Sequence, residues 1–575
     1  MKAGILDFTK GCRLYAFLSA FFVILEVFLE ILIPFITGKA LDAGLMNNNY
    51  ALFYKLSGVL ILTAFLSLFC GAVSAITAAR SGAIFAKNIR LGMFKHIQTF
   101  SFENIDKFTP GALIRRITGD VINLQHAYQM IIRVAVRLPI MIIFALVMSF
   151  RLSSSLARIY FIEIPLILFL IVVIMSVVLP LFKKGFGIID RENIIIGENL
   201  RGIRTVKAMG GENGEIKKYD AVSKHHKAVF RKANVFLSLG GPLMRLIVYC
   251  SLIFFAYNGV GELTKGTLTT GGILSIFSYN TQILFSMMMF ALTSSMVMMS
   301  AAGFFRIKEV LKEETMIQNP LQPIMDVEDG SIKAENVSFS YNVSSETMTL
   351  KNIDFDIKSG SVIGIIGPTG SGKSTLVSLF ARLYDISEGK LYIGGKDIHE
   401  YDLSVLRDNV VIVLQKSTLF SGTLRSTLKW GNESATDSEI YEALDDACIG
   451  DLVSSFSDGL DHGVEQNGNN FSGGQKQRLC IARALLKKPK ILVLDDSTSA
   501  LDGRTEKKLL NILKNKRNEI TKIIIAEKIS SIEECDAIFV MNKGKIEAVG
   551  THEELLKKSD YYKKLCELQD KNRRG

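Results

Sequence analysis

A chain of 575 residues exceeds what one compact core supports, so at least two domains are expected. Apolar residues make up 49% of it and mean hydropathy is +0.28, which calls for a membrane-spanning part beside a soluble one. The net charge of +11 gathers between apolar runs without interleaved aromatics, which excludes nucleic acid as the partner and fits a membrane-facing cytoplasmic surface.

In chain order, the first apolar run is "YAFLSAFFVILEVFLEILIPFITG" at 15–38, longer than the ~20 residues that cross a bilayer. It is too long for a cleavable signal peptide and lacks a small-residue cleavage site. Some fourteen residues precede it, so no N-terminal protease domain is expected. Five more runs follow at 57–79, 134–152, 160–182, 237–260 and 272–300. Between the second and third, and again between the fourth and fifth, lie helix-permissive segments of about fifty residues rich in Lys and Arg. The loops near 39–55, 153–158 and 261–270 are short and carry few basic residues. This asymmetry puts the N-terminus and both long segments in the cytoplasm of a multi-pass protein of the cell membrane. Each long segment is expected to carry its helices far into the cytoplasm and back, with Pro110 and Gly111 interrupting the first excursion.

Few ionisable residues fall inside the runs. Glu26 and Glu30 share one face of the first helix, Glu163 lies in the fourth run, and Arg137 and Arg245 lie in the third and fifth. Such groups face a cavity or a partner. Two readings therefore stand for Glu26 and Glu30: an acidic patch for cationic amphiphiles, or internal pairing with arginine. The sixth run holds Met287, Met288, Met289, Met296, Met298 and Met299, after Tyr279, Asn280 and Gln282. Flexible thioethers suit a promiscuous apolar cavity, with Met287 and Met288 on its wall, and equally suit lipid-facing packing. The transmembrane domain is expected over 1–315. A linker at 316–330, marked by "NPLQPIMDVEDG", precedes a soluble domain at 331–575. Seven Cys stand without a C-x-x-C pair, so neither a disulfide framework nor a zinc site is indicated.

In the soluble part, "SVIGIIGPTGSGKSTLVSLF" reads as strand, glycine-rich loop and helix start. Gly367, Pro368, Thr369, Gly370, Ser371, Gly372, Lys373 and Ser374 match G-x-x-x-x-G-K-S/T in the context that gives it meaning. Glycines let backbone N–H groups wrap phosphates, Lys373 reaches the outer phosphates, and the Ser374 hydroxyl suits Mg²⁺. Thr375 continues the motif into the helix. Further on, "ILVLDDSTSALD" at 491–502 reads as an apolar strand ending in two acids, Asp495 and Asp496.

Together, "FSGGQKQRLCIARALLKKPK" and that strand closely resemble the signature and Walker B region of ATP-binding cassette (ABC) transporters. "PGALIRRITGDV" and "ENLRGIRTVKAM" resemble cytoplasmic loops of six-helix exporter half-transporters, so the resemblance spans the chain. It implies a multi-domain fold: an all-α six-helix transmembrane domain with long cytoplasmic helical extensions, then an α/β P-loop ATPase domain with a helical signature subdomain. ATP and Mg²⁺ are the implied cofactors. The resemblance puts Tyr341, ending "NVSFSY", against adenine, and Ser374, Gln415 and Asp495 on Mg²⁺. It also implies that two cassettes meet head to tail. Phe471, Ser472, Gly473, Gly474 and Gln475 would then serve the partner's ATP, and Asp502 would close the D-loop "SALD". Phe471 replaces the commoner Leu.

Two departures stand out. The family's water-orienting glutamate is Asp496 here, and its switch histidine is Glu527, in "IIIAEKISSI". The aspartate is shorter by about 1.5 Å, one C–C bond, and a carboxylate cannot donate to a γ-phosphate. The expectation is a degenerate, slowly hydrolysing ATP site in a heterodimer with a second, non-identical half-transporter, exporting hydrophobic or cationic amphiphilic compounds of multidrug type. A slow homodimer, a lipid or peptide exporter, and a regulator using ATP as a clamp remain the rivals. A soluble ABC ATPase would lack the six runs.

Overall fold

The computed structural model describes residues 5–341 and 348–574, apart from the side chains of Ile5, Leu6, Met299 and residues 570–574. It divides into two units: Met1–Thr99 with Thr109–Glu313, and Phe100–Phe108 with Glu314–Gly575.

The first unit is helical. Among the described residues six helices are long and apolar enough to cross a membrane: Arg13–Met46, Tyr50–Ile97, Pro110–Leu152, Ser154–Arg201, Glu212–Thr264 and Thr270–Lys312. They are called here helices one to six. Each contains one of the six apolar runs, and most continue well past it. At 1.5 Å per residue a helix of 48 residues reaches about 70 Å, more than twice a hydrocarbon core of ~30 Å. The excess length is the extension expected of the basic segments. Helix three starts with Pro110 at its first position, where a missing N–H costs nothing.

Outward faces carry large apolar side chains such as Phe17, Phe69, Phe161 and Tyr257, as lipid contact requires. Inward faces use small residues so that backbones approach. Helices one and two are latched by Ser19 and Ser74, each hydroxyl donating to the other's carbonyl at 3.1 and 3.0 Å. Helices one and six touch where a Cβ on Gly38 would stand 2.6 Å from the Gly271 carbonyl oxygen. Near the other end of helix six, Arg306 forks onto Asp120 of helix three at 2.7 and 2.6 Å.

The second unit holds two main sheets. A four-stranded antiparallel sheet runs in the order Leu350–Ile357, Ile332–Phe339, Glu388–Ile393, Lys396–Asp397. A six-stranded sheet runs Lys545–Gly550, Ala537–Asn542, Val362–Ile366, Thr521–Ile525, Ile491–Asp495, Val410–Val413, parallel except for its Lys545–Gly550 edge. Its three central strands are buried at every position. That is why they read as largely apolar runs, with Thr521, Lys522 and the terminal Asp495 as exceptions, rather than as alternation. Their carboxyl ends lie side by side, and in such sheets ligands bind beyond those ends.

The short helix Phe102–Phe108, between helices two and three, belongs to this second unit. Its Asp106 accepts the Tyr384 hydroxyl at 2.8 Å, and its Phe102 ring lies 5.9 Å from that of Tyr384.

Candidate functional site

Three adjacent strands build the site. Val362–Ile366 runs into the glycine-rich loop, Ile491–Asp495 ends in the acids, and Thr521–Ile525 between them runs on to Glu527. In the loop Gly370 and Gly372 adopt φ of +81° and +99°, where a side chain would be strained. Pro368 and Thr369 are exposed at its crest, while Ser371 is buried with its hydroxyl unmatched. The helix Lys373–Phe380 then starts with Lys373, Ser374 and Thr375.

Thr369, Gly370, Gly372–Thr375, Gln415, Asp495, Asp496 and Glu527 line one depression of about 200 Å³. Lys373 Nζ donates to the carbonyls of Gly367 and Pro368 at 2.8 and 3.1 Å, and Ser374 Oγ donates to Asp495 Oδ1 at 2.9 Å. Gln415 Nε2 donates to Asp496 Oδ2 at 3.1 Å. Burial pushes the Lys373 ammonium below its ordinary pKa, against the pull of Glu527, Asp495 and Asp496. Burial also pushes Asp495 up, with the Asp496 charge adding to it and the Ser374 hydroxyl opposing it.

Three carboxylates therefore face a single lysine. An orphaned hydroxyl, an open glycine loop at a helix N-terminus and surplus negative charge beside Ser374 fit a phosphate chain carrying a divalent cation. Asp496 has φ of +47°, a left-handed conformation that Asp tolerates better than longer side chains do, because it bonds locally.

Tyr341 lies close by, half-exposed, its hydroxyl 3.0 Å from Thr375 Oγ1 and its ring edge-on to Phe339 and Tyr384. Residues 471–475 do not line the depression. Phe471 is buried against the rings of Phe456 and His462. Ser472 and Gln475 form a capping box on the helix Gly473–Leu486, with Ser472 N donating to Gln475 Oε1 at 2.8 Å. A Cβ on Gly473 would meet only Ala500 Cβ, at an ordinary 3.7 Å, whereas on Gly474 it would stand 2.9 Å from the Ala500 carbonyl oxygen. Asp502 caps the helix Gly503–Asn515, and the N–H groups of Thr505 and Arg504 hold its carboxyl below the usual range.

On the membrane side the expectations are only partly met. Glu26 and Glu30 both pair with Arg137, Glu30 through two contacts of 2.8 and 2.7 Å. Pairing, not an open acidic patch, is therefore what the fold makes of them. Arg245 takes no part. A cavity of about 620 Å³ lies instead between helices three and six, walled by Arg133, Arg137, Met141, Gln282, Phe285 and Met289. Neither Glu26 nor Glu30 lines it. Met287 packs in the helical core at 3% exposed, and Met288 is half-buried off the wall. The helix's pitch decides this, since successive residues point ~100° apart. The Met299 side chain lies outside the described residues. Sequence reasoning missed Arg133 and the Asp106–Tyr384 contact. The interruption at Pro110 and Gly111 was the one local sign of the latter.

Comparison with known proteins agrees with this architecture. Residues 16–288 match the family model described as ABC transporter transmembrane region, and 350–499 match the one described as ABC transporter. The chain is 32% identical over 564 residues, 98% of each chain, to an uncharacterised ABC transporter ATP-binding protein of Bacillus subtilis (strain 168). It is 31% identical over 542 residues, 93% of each, to another from Mycobacterium tuberculosis (strain ATCC 25618 / H37Rv). Among solved structures, that of a bacterial Atm1-family ABC exporter with ATP bound superposes with a TM-score of 0.84, at 24% identity, over 96% of this chain and 98% of that one.

Proposed function

The chain belongs to the ABC transporters, as an exporter-type half-transporter with six membrane helices and an ATP-hydrolysing domain, and we propose that it is the weak-site half of a heterodimer. In this reading it exports hydrophobic or amphiphilic compounds across the cell membrane, with its N-terminus and nucleotide domain in the cytoplasm.

One observation carries the reading: the depression that presents Lys373 and Ser374 is edged by Asp496, the shorter acid, at one position and by a carboxylate, Glu527, rather than a histidine at the other. The backbone N–H groups of the glycine loop would hold phosphate, Lys373 would turn from its own carbonyls to the outer phosphates, and Tyr341 would lie against the base. Ser374, Gln415 and Asp495 would hold Mg²⁺, which when bound neutralises phosphate charge. Asp496 is engaged by Gln415 at 3.1 Å, and a base must lie within ~2.6–3.2 Å of the proton it takes. Glu527 offers no donor unless protonated and adds repulsion toward a triphosphate. Misplacement on this scale lowers a rate by ~10²-fold.

The residues around Ser472 stand apart from the depression, so they are available to a facing cassette. A partner with a better-placed acid and a histidine would form the faster site with them. The cavity wall presents Arg133, apolar side chains and the uncharged polar groups of Ser278, Thr281, Gln282 and Ser286, and it carries no carboxylate, since Glu26 and Glu30 are tied to Arg137. That disfavours cations and suits an amphiphile with a neutral or acidic polar end.

The test is ATP turnover by the purified chain in lipid, alone and with a second half-transporter. Slow turnover alone, unchanged by Asp496→Asn and strongly raised by the partner, is expected. Brisk turnover alone that Asp496→Asn abolishes overturns the reading.

A further inference from the structure

Glu163, near the start of helix four, is 3% exposed. Its Oε1 lies 3.0 Å from Ser251 Oγ of helix five, whose single hydroxyl proton is shared between Glu163 and the Val248 carbonyl at 2.9 Å, and Ser251 Oγ accepts from Asn280 Nδ2 of helix six at 2.9 Å. Asn280 is itself fully buried. Two oxygens of this relay, Glu163 Oε2 and Asn280 Oδ1, are buried with no hydrogen-bond partner. Among the described residues no Lys, Arg or His pairs with Glu163, in contrast to Glu26 and Glu30.

The charged and titratable surroundings are sparse. Tyr160, on the same helix, lies with its hydroxyl 3.4 Å from Ser149 Oγ of helix three. Helix five contributes Ser251 and Phe255, helix six contributes Asn280, and Tyr279 of helix six points away to donate to the Ile31 carbonyl at 2.9 Å. Ser251 and Asn280 lie about 15–20 Å inside the ends of their helices by helical rise, so the group is at membrane depth. An ionised carboxylate there has neither cation nor second donor. Two acceptors of the relay, one of them on Glu163 itself, therefore stand without a donor.

We propose that Glu163 is a proton-binding site of the membrane domain, its carboxyl carrying a proton on Oε2 while helices four, five and six are packed as seen. Binding forms one O–H bond from the carboxylate and a solvent proton, with no redox change. Release requires water to reach Oε2, which links the proton to separation of these three helices.

The full chain in lipid, studied by infrared spectroscopy at neutral pH, tests this. The carbonyl stretch of a protonated carboxylic acid is expected in the parent. Glu163→Gln should remove it, and Ser251→Ala, which deletes the donor to Oε1, should shift it without removing it. Absence of the band in the parent, its survival in Glu163→Gln, or loss of the band on adding Na⁺ or K⁺, which would mark a metal-cation site, each overturns the proposal. Should Glu163→Gln fail to fold, Ser251→Ala decides alone, and an unshifted band counts against it.

Discussion

In the first unit one guanidinium, Arg137, meets two carboxylates, Glu26 and Glu30, and all three are held within the helix packing. In the second unit one ammonium, Lys373, faces three carboxylates, but its hydrogen bonds go to its own loop carbonyls. The contrast separates a structural charge cluster from a binding one. Where a cation pairs with its acids, as Arg137 does with Glu30 and with Glu26 Oε1 although Glu26 Oε2 is left without a partner, the cluster fastens elements together. Where the cation bonds elsewhere and acids are in surplus, the cluster is open to a ligand that brings both phosphate and metal.

The sharpest way to break the contrast is to remove the closed cluster's cation. Arg137→Ala leaves one buried acid, Glu26, and one partly buried acid, Glu30, uncompensated and should cost up to about 3 kcal/mol, the low end of the range for stripping one partner from a fully buried pair, because Arg137 and Glu30 keep some access to solvent. Thermal melting of the protein in lipid measures it, and adding Glu26→Gln with Glu30→Gln should restore much of the loss. Unaltered melting in Arg137→Ala would show that the cluster fastens nothing.

The second experiment converts the open cluster. Asp496→Glu combined with Glu527→His lengthens one acid and replaces the other with a donor. ATP turnover by the chain alone is expected to rise about 10²-fold. A rate that stays at the parent's level would mean that these two positions do not limit hydrolysis.

The smallest effect is in pH dependence. Burial raises the pKa of Asp495, so its contribution to stability is complete below the ordinary Asp value of ~3.9 and is lost as pH rises through the folded value. Asp495→Asn escapes that loss. Without nucleotide it should melt above the parent at pH 7, with the difference closing as pH falls toward ~3.9. A difference that persists unchanged at low pH would trace to something other than this charge.

Much of the nucleotide site was legible before folding, because its parts are contiguous. The loop from Gly367 to Ser374 is one unbroken stretch, and Asp495 and Glu527 each follow a buried apolar strand. The six membrane helices were legible for the same reason, since a bilayer demands long local runs. Their extensions were foreseen from charge, but which face of each helix met a neighbour was not. Met287 and Met289 are two residues apart and share a composition, yet one is core and the other cavity wall.

The sequence alone thus determined what depends on short-range order: strand, loop and helix around a phosphate, and spans matched to a membrane. Only the tertiary structure decided what depends on distant partners. Arg137 closing Glu26 and Glu30 from more than a hundred residues away, and Ser251 with Asn280 leaving Glu163 one donor short, are of that kind. The reason is physical. A charge or hydroxyl gains meaning from what lies within about 3 Å of it, and for helices that return past one another those neighbours are set by packing rather than by adjacency in the chain.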